Sequence, residues 1–104
     1  MGQAYHVVCA GRPSVAKVLA SVSDSWCLRL VDGLPAFPDE AVPEEFNEIR
    51  LGLGGNMVTI KAVASGLNLV TWSGISIEFH DAVTRLAKAL ASEVNGRVEM
   101  GSTH

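Results

Sequence analysis

The sequence predicts an α+β fold: a two-layer sandwich in which two helices cover one face of a largely antiparallel sheet of five or six strands. Three observations carry that prediction. Segments after residue 47 alternate apolar and polar residues with the period of two that marks half-buried strands. Two stretches instead carry apolar residues at helical spacing. The punctuation between segments is short, and short connections favour antiparallel neighbours.

Tyr5–Ala10 (YHVVCA) is rich in β-formers and stops at Gly11, so it reads as the first strand. Pro13 suits the first position of a helix, where its missing N–H costs nothing. Val15, Val18, Leu19 and Val22 then form one stripe on a helix of about 11 residues. Ser23, Asp24 and Ser25 end it, and Trp26–Val31 reads as the second strand. This strand–helix–strand run is compatible with a right-handed crossover between parallel strands. Gly33, Pro35, Pro38 and Pro43 make residues 32–47 a loop, with one helical turn at Pro43–Phe46.

Three strands follow as a meander. Glu48–Leu53 places Ile49, Leu51 and Leu53 on one face, and Glu48 and Arg50 on the other. Gly54–Gly55–Asn56 turns the chain into Met57–Val63, and Ser65–Gly66 turns it into Leu67–Trp72. A helix from about Glu78 to Val94 is marked by Phe79, Val83, Leu86, Leu90 and Val94, and Asn95–Gly96 is its stop. Burial of that stripe is worth on the order of 8–15 kcal/mol before entropy, so this helix organises the core. Arg97–Met100 adds a short final strand. The expected inner face holds Trp26, Leu28, Leu30, Ile49, Leu51, Leu53, Val58, Ile60, Leu67 and Leu69. The expected outer face holds Cys27, Arg29, Glu48, Arg50, Thr59, Lys61 and Asn68.

With 104 residues, 48% of them hydrophobic and 18% charged, the chain reads as a single domain, 1–104, and composition argues against disorder. No basic-then-apolar leader opens it. Its longest charge-free run, residues 62–77, is interrupted by Ser65, Gly66, Asn68 and Gly74, short of a membrane span. Cytoplasmic placement is the expectation. Cys9 and Cys27 match no zinc or redox spacing.

The charge layout is more informative than the net charge of −3. Residues 32–48 hold six of the eleven acids and no Lys or Arg, which leaves the remainder with a balance of +3. Asp39, Glu40, Glu44, Glu45 and Glu48 fall within ten residues, beside Phe37 and Phe46. A solvated loop is the ordinary reading of such a run. The functional reading is a docking surface in which Asp39, Glu40, Glu44, Glu45 and Glu48 steer a basic protein partner and Phe46 anchors the contact.

Other candidates are weaker. Gly52–Leu53–Gly54–Gly55–Asn56–Met57 lacks the third glycine of a dinucleotide loop, and no helix follows it, so it reads as a hairpin turn. Cys9 and Arg12 lie at a strand end before a helix, and with His80 they form a second hypothesis, a small enzyme or ligand-binding pocket. His6, His80 and His104 have no metal spacing, and no cofactor is expected. Arg29, Arg50 and Lys61 give the outer face basic character without the stacking aromatics of sheet-type RNA readers, so nucleic acid is not expected as a partner. The high apolar fraction motivates a third hypothesis, a homo-oligomeric module with a homodimer as its simplest form.

The stretch Arg85–Val98, RLAKALASEVNGRV, resembles the C-terminal helix–turn–strand of several families of small bacterial immunity proteins. Those proteins neutralise toxins delivered by contact-dependent or secretion systems. The resemblance implies a non-enzymatic inhibitor that blocks a toxin's active site, and a basic toxin domain suits the acidic segment.

Overall fold

The computed structural model describes residues 3–8, 14–22, 24–36, 42–43, 45–64, 66–71 and 76–102. The strands are β1 (Gln3–Val8), β2 (Cys27–Val31), β3 (Leu34–Pro35), β4 (Glu48–Leu53), β5 (Asn56–Val63), β6 (Gly66–Thr71) and β7 (Arg97–Ser102). The helices are α1 (Val15–Ser21), after β1, and α2 (Ile77–Glu93), between β6 and β7. The strands form one seven-stranded sheet in the order β3-β2-β4-β5-β6-β1-β7. Every neighbouring pair is antiparallel.

Local chemistry explains the hairpins. The β4–β5 turn places Gly54 and Gly55 at φ of 57° and 87°, between the paired residues Leu53 and Asn56. Two-residue hairpin turns need positive φ at both central positions, which glycine adopts without a Cβ clash. The β2–β3 turn repeats the device with Asp32 and Gly33 at φ of 50° and 83°, between Val31 and Leu34. This hairpin lies inside the segment expected to be loop, and it is why the sheet has seven strands. Pro35 is tolerated because β3 is an edge strand, where a missing N–H breaks no second ladder.

The remaining topology comes from two crossovers. β6 and β7 both pair with β1, so α2 carries the chain across β1, which lies between them. β1 and β2 run in the same sense but with β6, β5 and β4 between them, so the crossover through α1 spans three strands. The first helix is shorter than its apolar stripe predicts. It begins at Val15 with Ser14 as N-cap, whose hydroxyl accepts from the Lys17 N–H, and Val22 already lies beyond its end. Pro13 lies outside the described residues.

Both helices pack on one sheet face, around a single core. One inner row runs across Tyr5, Leu69, Ile60 and Ile49 in register. Above it lie Phe79, Val83, Leu86 and Leu90 of α2, with Val15 and Val18 of α1. Of the expected inner residues, Leu28, Ile49, Leu51, Val58, Ile60, Leu67 and Leu69 are buried, whereas Leu30 is a correction. The β2–β4 register shifts between Leu28 and Leu30, so a bulge at Arg29 sets Leu30 opposite the outer-face residue Arg50. One extra residue reverses the alternation downstream of it. Trp26, just before β2, is half-buried and meets Phe79 edge-on at 5.6 Å between ring centroids.

Candidate functional site: the acidic segment and its fixed ends

The acid-rich stretch connects β3 to β4 in the chain. Each end is fixed by identifiable contacts. At the departing end, the Ala36 N–H donates to the Arg29 carbonyl at 2.9 Å. At the returning end, one carboxylate oxygen of Asp32 accepts from the Asn47 N–H at 2.8 Å and the Glu48 N–H at 2.9 Å. The Asp32 N–H donates in turn to the Glu48 carbonyl at 2.7 Å, and the Ala62 N–H donates to the Asn47 carbonyl at 2.8 Å. Asp32 thus serves the backbone: its left-handed conformation both turns the β2–β3 hairpin and aims its carboxylate at the entrance to β4. Asp tolerates that conformation better than most residues.

Phe46 corrects the expected role of an exposed aromatic anchor. It is 5% exposed and belongs to the core cluster, against which Ala36 and Val42 also pack. Its seat is physical rather than periodic. Phe46 precedes the alternation of β4, and burial of a large aromatic at the strand entrance fixes where the loop rejoins the sheet.

The other predicted contact residues divide. Glu45 is exposed, immediately before the buried Phe46. Glu48 lies on the outer sheet face opposite Lys61, with a carboxylate-to-ammonium distance of 3.6 Å. Asp39, Glu40 and Glu44 lie outside the described residues, within the chain whose ends are fixed. The sequence contained a signal for the Asp32 anchor, since Asp-Gly between apolar runs is a hairpin signal. It contained none for the direction of Phe46.

The pocket hypothesis places only one of its three residues, because Cys9 and Arg12 lie outside the described residues. His80 is half-buried on α2, its ring 5.9 Å from that of Tyr5 and its Nδ1 3.8 Å from a carboxylate oxygen of Asp81. Two concavities of about 300 Å³ flank the β4–β5 turn. The one beside α2 is lined by Asp24, Asn56, Ser76, Phe79 and Arg85 among others. There Asp24 holds the Arg85 guanidinium through two hydrogen bonds, at 2.9 and 3.1 Å. That hydrogen bonding is the main cause raising the Arg85 pKa above its ordinary value. The cation therefore has its counterion in place. Among the described residues, no three His, Cys, Asp or Glu side chains gather to hold a metal ion, and no helix is long and apolar enough to cross a membrane.

The basic residues of the outer face are engaged with the sheet itself. Arg29 lies over Gly52, where an added Cβ would sit 3.0 Å from the Arg29 Nε. The Arg50 Nε donates to the Thr59 hydroxyl at 3.4 Å, and Lys61 faces Glu48. These long side chains explain how Thr59 and Gly52 are buried on a face without helices. No family model, no curated protein and no solved structure matches this chain.

Proposed function

We propose that this chain is a non-enzymatic protein-binding module that docks a basic partner through the acidic segment between β3 and β4. The observation that carries the reading is the double anchoring of that segment. Phe46 in the core and the Asp32 carboxylate on two backbone N–H groups hold the point of return, beside exposed Glu45. A loop held at its ends loses less conformational entropy on binding than a free tail of equal charge. Concentrated carboxylates accelerate encounter with a positively charged surface. Phe46 acts here as an internal anchor. The contact residues are Asp39, Glu40, Glu44 and Glu45, with Glu48 at the margin because Lys61 faces it.

The specific form of the proposal is a cytoplasmic immunity protein that neutralises a toxin, as the resemblance of residues 85–98 implies. The test is co-expression with the toxin domain encoded in the adjoining reading frame. Wild-type chain is expected to protect the host and co-purify with the toxin. A Glu44→Lys/Glu45→Lys variant with an unchanged thermal midpoint is expected to do neither. Equal co-purification by the variant at the same ionic strength would refute docking through this segment. An adjoining frame without a toxin removes the immunity form.

A further inference from the structure

The geometry points to self-association of this chain through its β7 edge: two copies pair antiparallel about Val98, with Arg97 of each opposite Glu99 of the other, joining two sheets into one. This inference is independent of the acidic segment.

β7 is the last strand of the sheet and spans six residues. Among the described residues it hydrogen-bonds to β1 alone, so its other edge presents backbone donors and acceptors outward. Natural sheets shield such edges with short strands, proline or charged side chains. The opposite edge follows that rule, since β3 has two residues and one is Pro35. β7 follows it only in part: it spans six residues without proline, and its two charges, Arg97 and Glu99, are of opposite sign and so can pair across a twofold axis.

Symmetry narrows the possible registers. Two identical edge strands that pair antiparallel are related by a twofold axis perpendicular to the sheet, so each residue meets a partner on the same face. Only registers centred on a residue satisfy this. Centring on Glu99 sets two Glu99 carboxylates face to face. Centring on Met100 sets Glu99 against Gly101. Centring on Val98 sets Arg97 against Glu99 twice, on the outer face. The two charges already face each other within the strand at 3.5 Å, and both are well exposed. The paired strands would close them into a square of alternating sign. On the inner face, Val98 is half-buried at the margin of the core, and the same register brings the two Val98 side chains together. One register therefore satisfies the charges outside and buries the apolar residue inside. Both helical layers remain on the same side of the joined sheet.

The test is the oligomeric state of the full chain, measured by sedimentation velocity across protein concentration. Wild-type chain is expected to show a concentration-dependent dimer. Arg97→Glu and Glu99→Arg each place like charges opposite one another and are expected to weaken the dimer by about tenfold or more. The Arg97→Glu/Glu99→Arg exchange restores both cross-strand pairs and is expected to restore the dimer. A wild-type chain monomeric up to its solubility limit overturns the inference. So do single reversals that dimerise like wild type, or an exchange variant that folds with the wild-type thermal midpoint and stays monomeric.

Discussion

Phe46 offers the sharpest test of how the acidic segment is held. Its side chain is 5% exposed within the core cluster, so Phe46→Ala removes most of a buried aromatic and leaves a cavity at the entrance to β4. Buried Phe→Ala changes cost about 3–5 kcal/mol. A chain of 104 residues has a total stability of roughly 5–15 kcal/mol, so the variant is expected to lose about a fifth of it or more. At a urea dependence of roughly 2 kcal/mol per molar, the midpoint should fall by about 2 M with an unchanged slope. Phe46→Leu retains most of the apolar volume and is expected to lose roughly 1–2 kcal/mol. Equilibrium urea denaturation followed by tryptophan fluorescence measures both. An aromatic presented to solvent would cost no more than about 0.5 kcal/mol on truncation. A Phe46→Ala loss below about 1 kcal/mol would therefore refute the anchoring of the segment.

Asp32→Ala removes the acceptor for the Asn47 and Glu48 N–H groups and puts a Cβ-bearing residue without a local hydrogen bond at φ 50°. The expected loss in urea denaturation is about 2 kcal/mol, discounted for an exposed site, while Asp32→Asn is expected to stay within about 1 kcal/mol. Among the described residues, the buried Trp26 indole N–H meets no acceptor. Trp26→Phe keeps an aromatic contact with Phe79 without that unpaired donor, so stability should stay within about 1 kcal/mol of wild type, whereas Trp26→Ala should lose roughly 3–5 kcal/mol. The Arg85 pKa is raised by its hydrogen bonds to Asp24, so the guanidinium's contribution is present below its unfolded-state pKa and is lost only as pH rises through the still higher folded value. The difference in urea midpoint between wild type and Arg85→Gln is accordingly expected to stay flat from neutral to mildly alkaline pH, and a steady decline over that range would contradict the assignment.

The parts of the fold legible in the sequence are those where a local period coincides with a buried face. The β4–β5–β6 meander alternates because one face meets the helices, and Gly54–Gly55 supplies the turn geometry that joins two of its strands. The stripe Phe79, Val83, Leu86, Leu90 reads as helix because all four lie in the core. What stayed illegible depends on tertiary placement. β1 inserts between β6 and β7, and no residue of Gln3–Val8 encodes that order locally. The bulge at Arg29 inverts Leu30 in a strand whose pattern alone gives no reason for an extra residue. Pro35 masked an edge strand, because the penalty for a missing N–H vanishes where no neighbour waits to accept it. In the candidate site, the acid count and the Asp32–Gly33 turn signal were readable, and the contacts that anchor the segment were not. Phe46 stands outside any alternating run, and the work of Asp32 is done on residues fifteen and sixteen positions away.

Those anchors also sort the charge. Of the six acids between residues 32 and 48, Asp32 spends its carboxylate on two backbone N–H groups, and Glu48 faces Lys61 across the β4–β5 ladder. Neither charge is at the full disposal of a partner, because a partner that claimed it would have to replace an existing contact. Reversing Glu48 would in addition set two cations opposite each other on neighbouring strands, a change that acts on the sheet before it acts on binding. Glu45 carries no such obligation to the described structure: it is exposed, and its position in the chain is held by the buried ring beside it. The docking proposed for this segment therefore rests on Glu45, with Asp39, Glu40 and Glu44 close to it in sequence. A partner equally sensitive to loss of Glu45 and of Glu48 would be reading the outer sheet face instead.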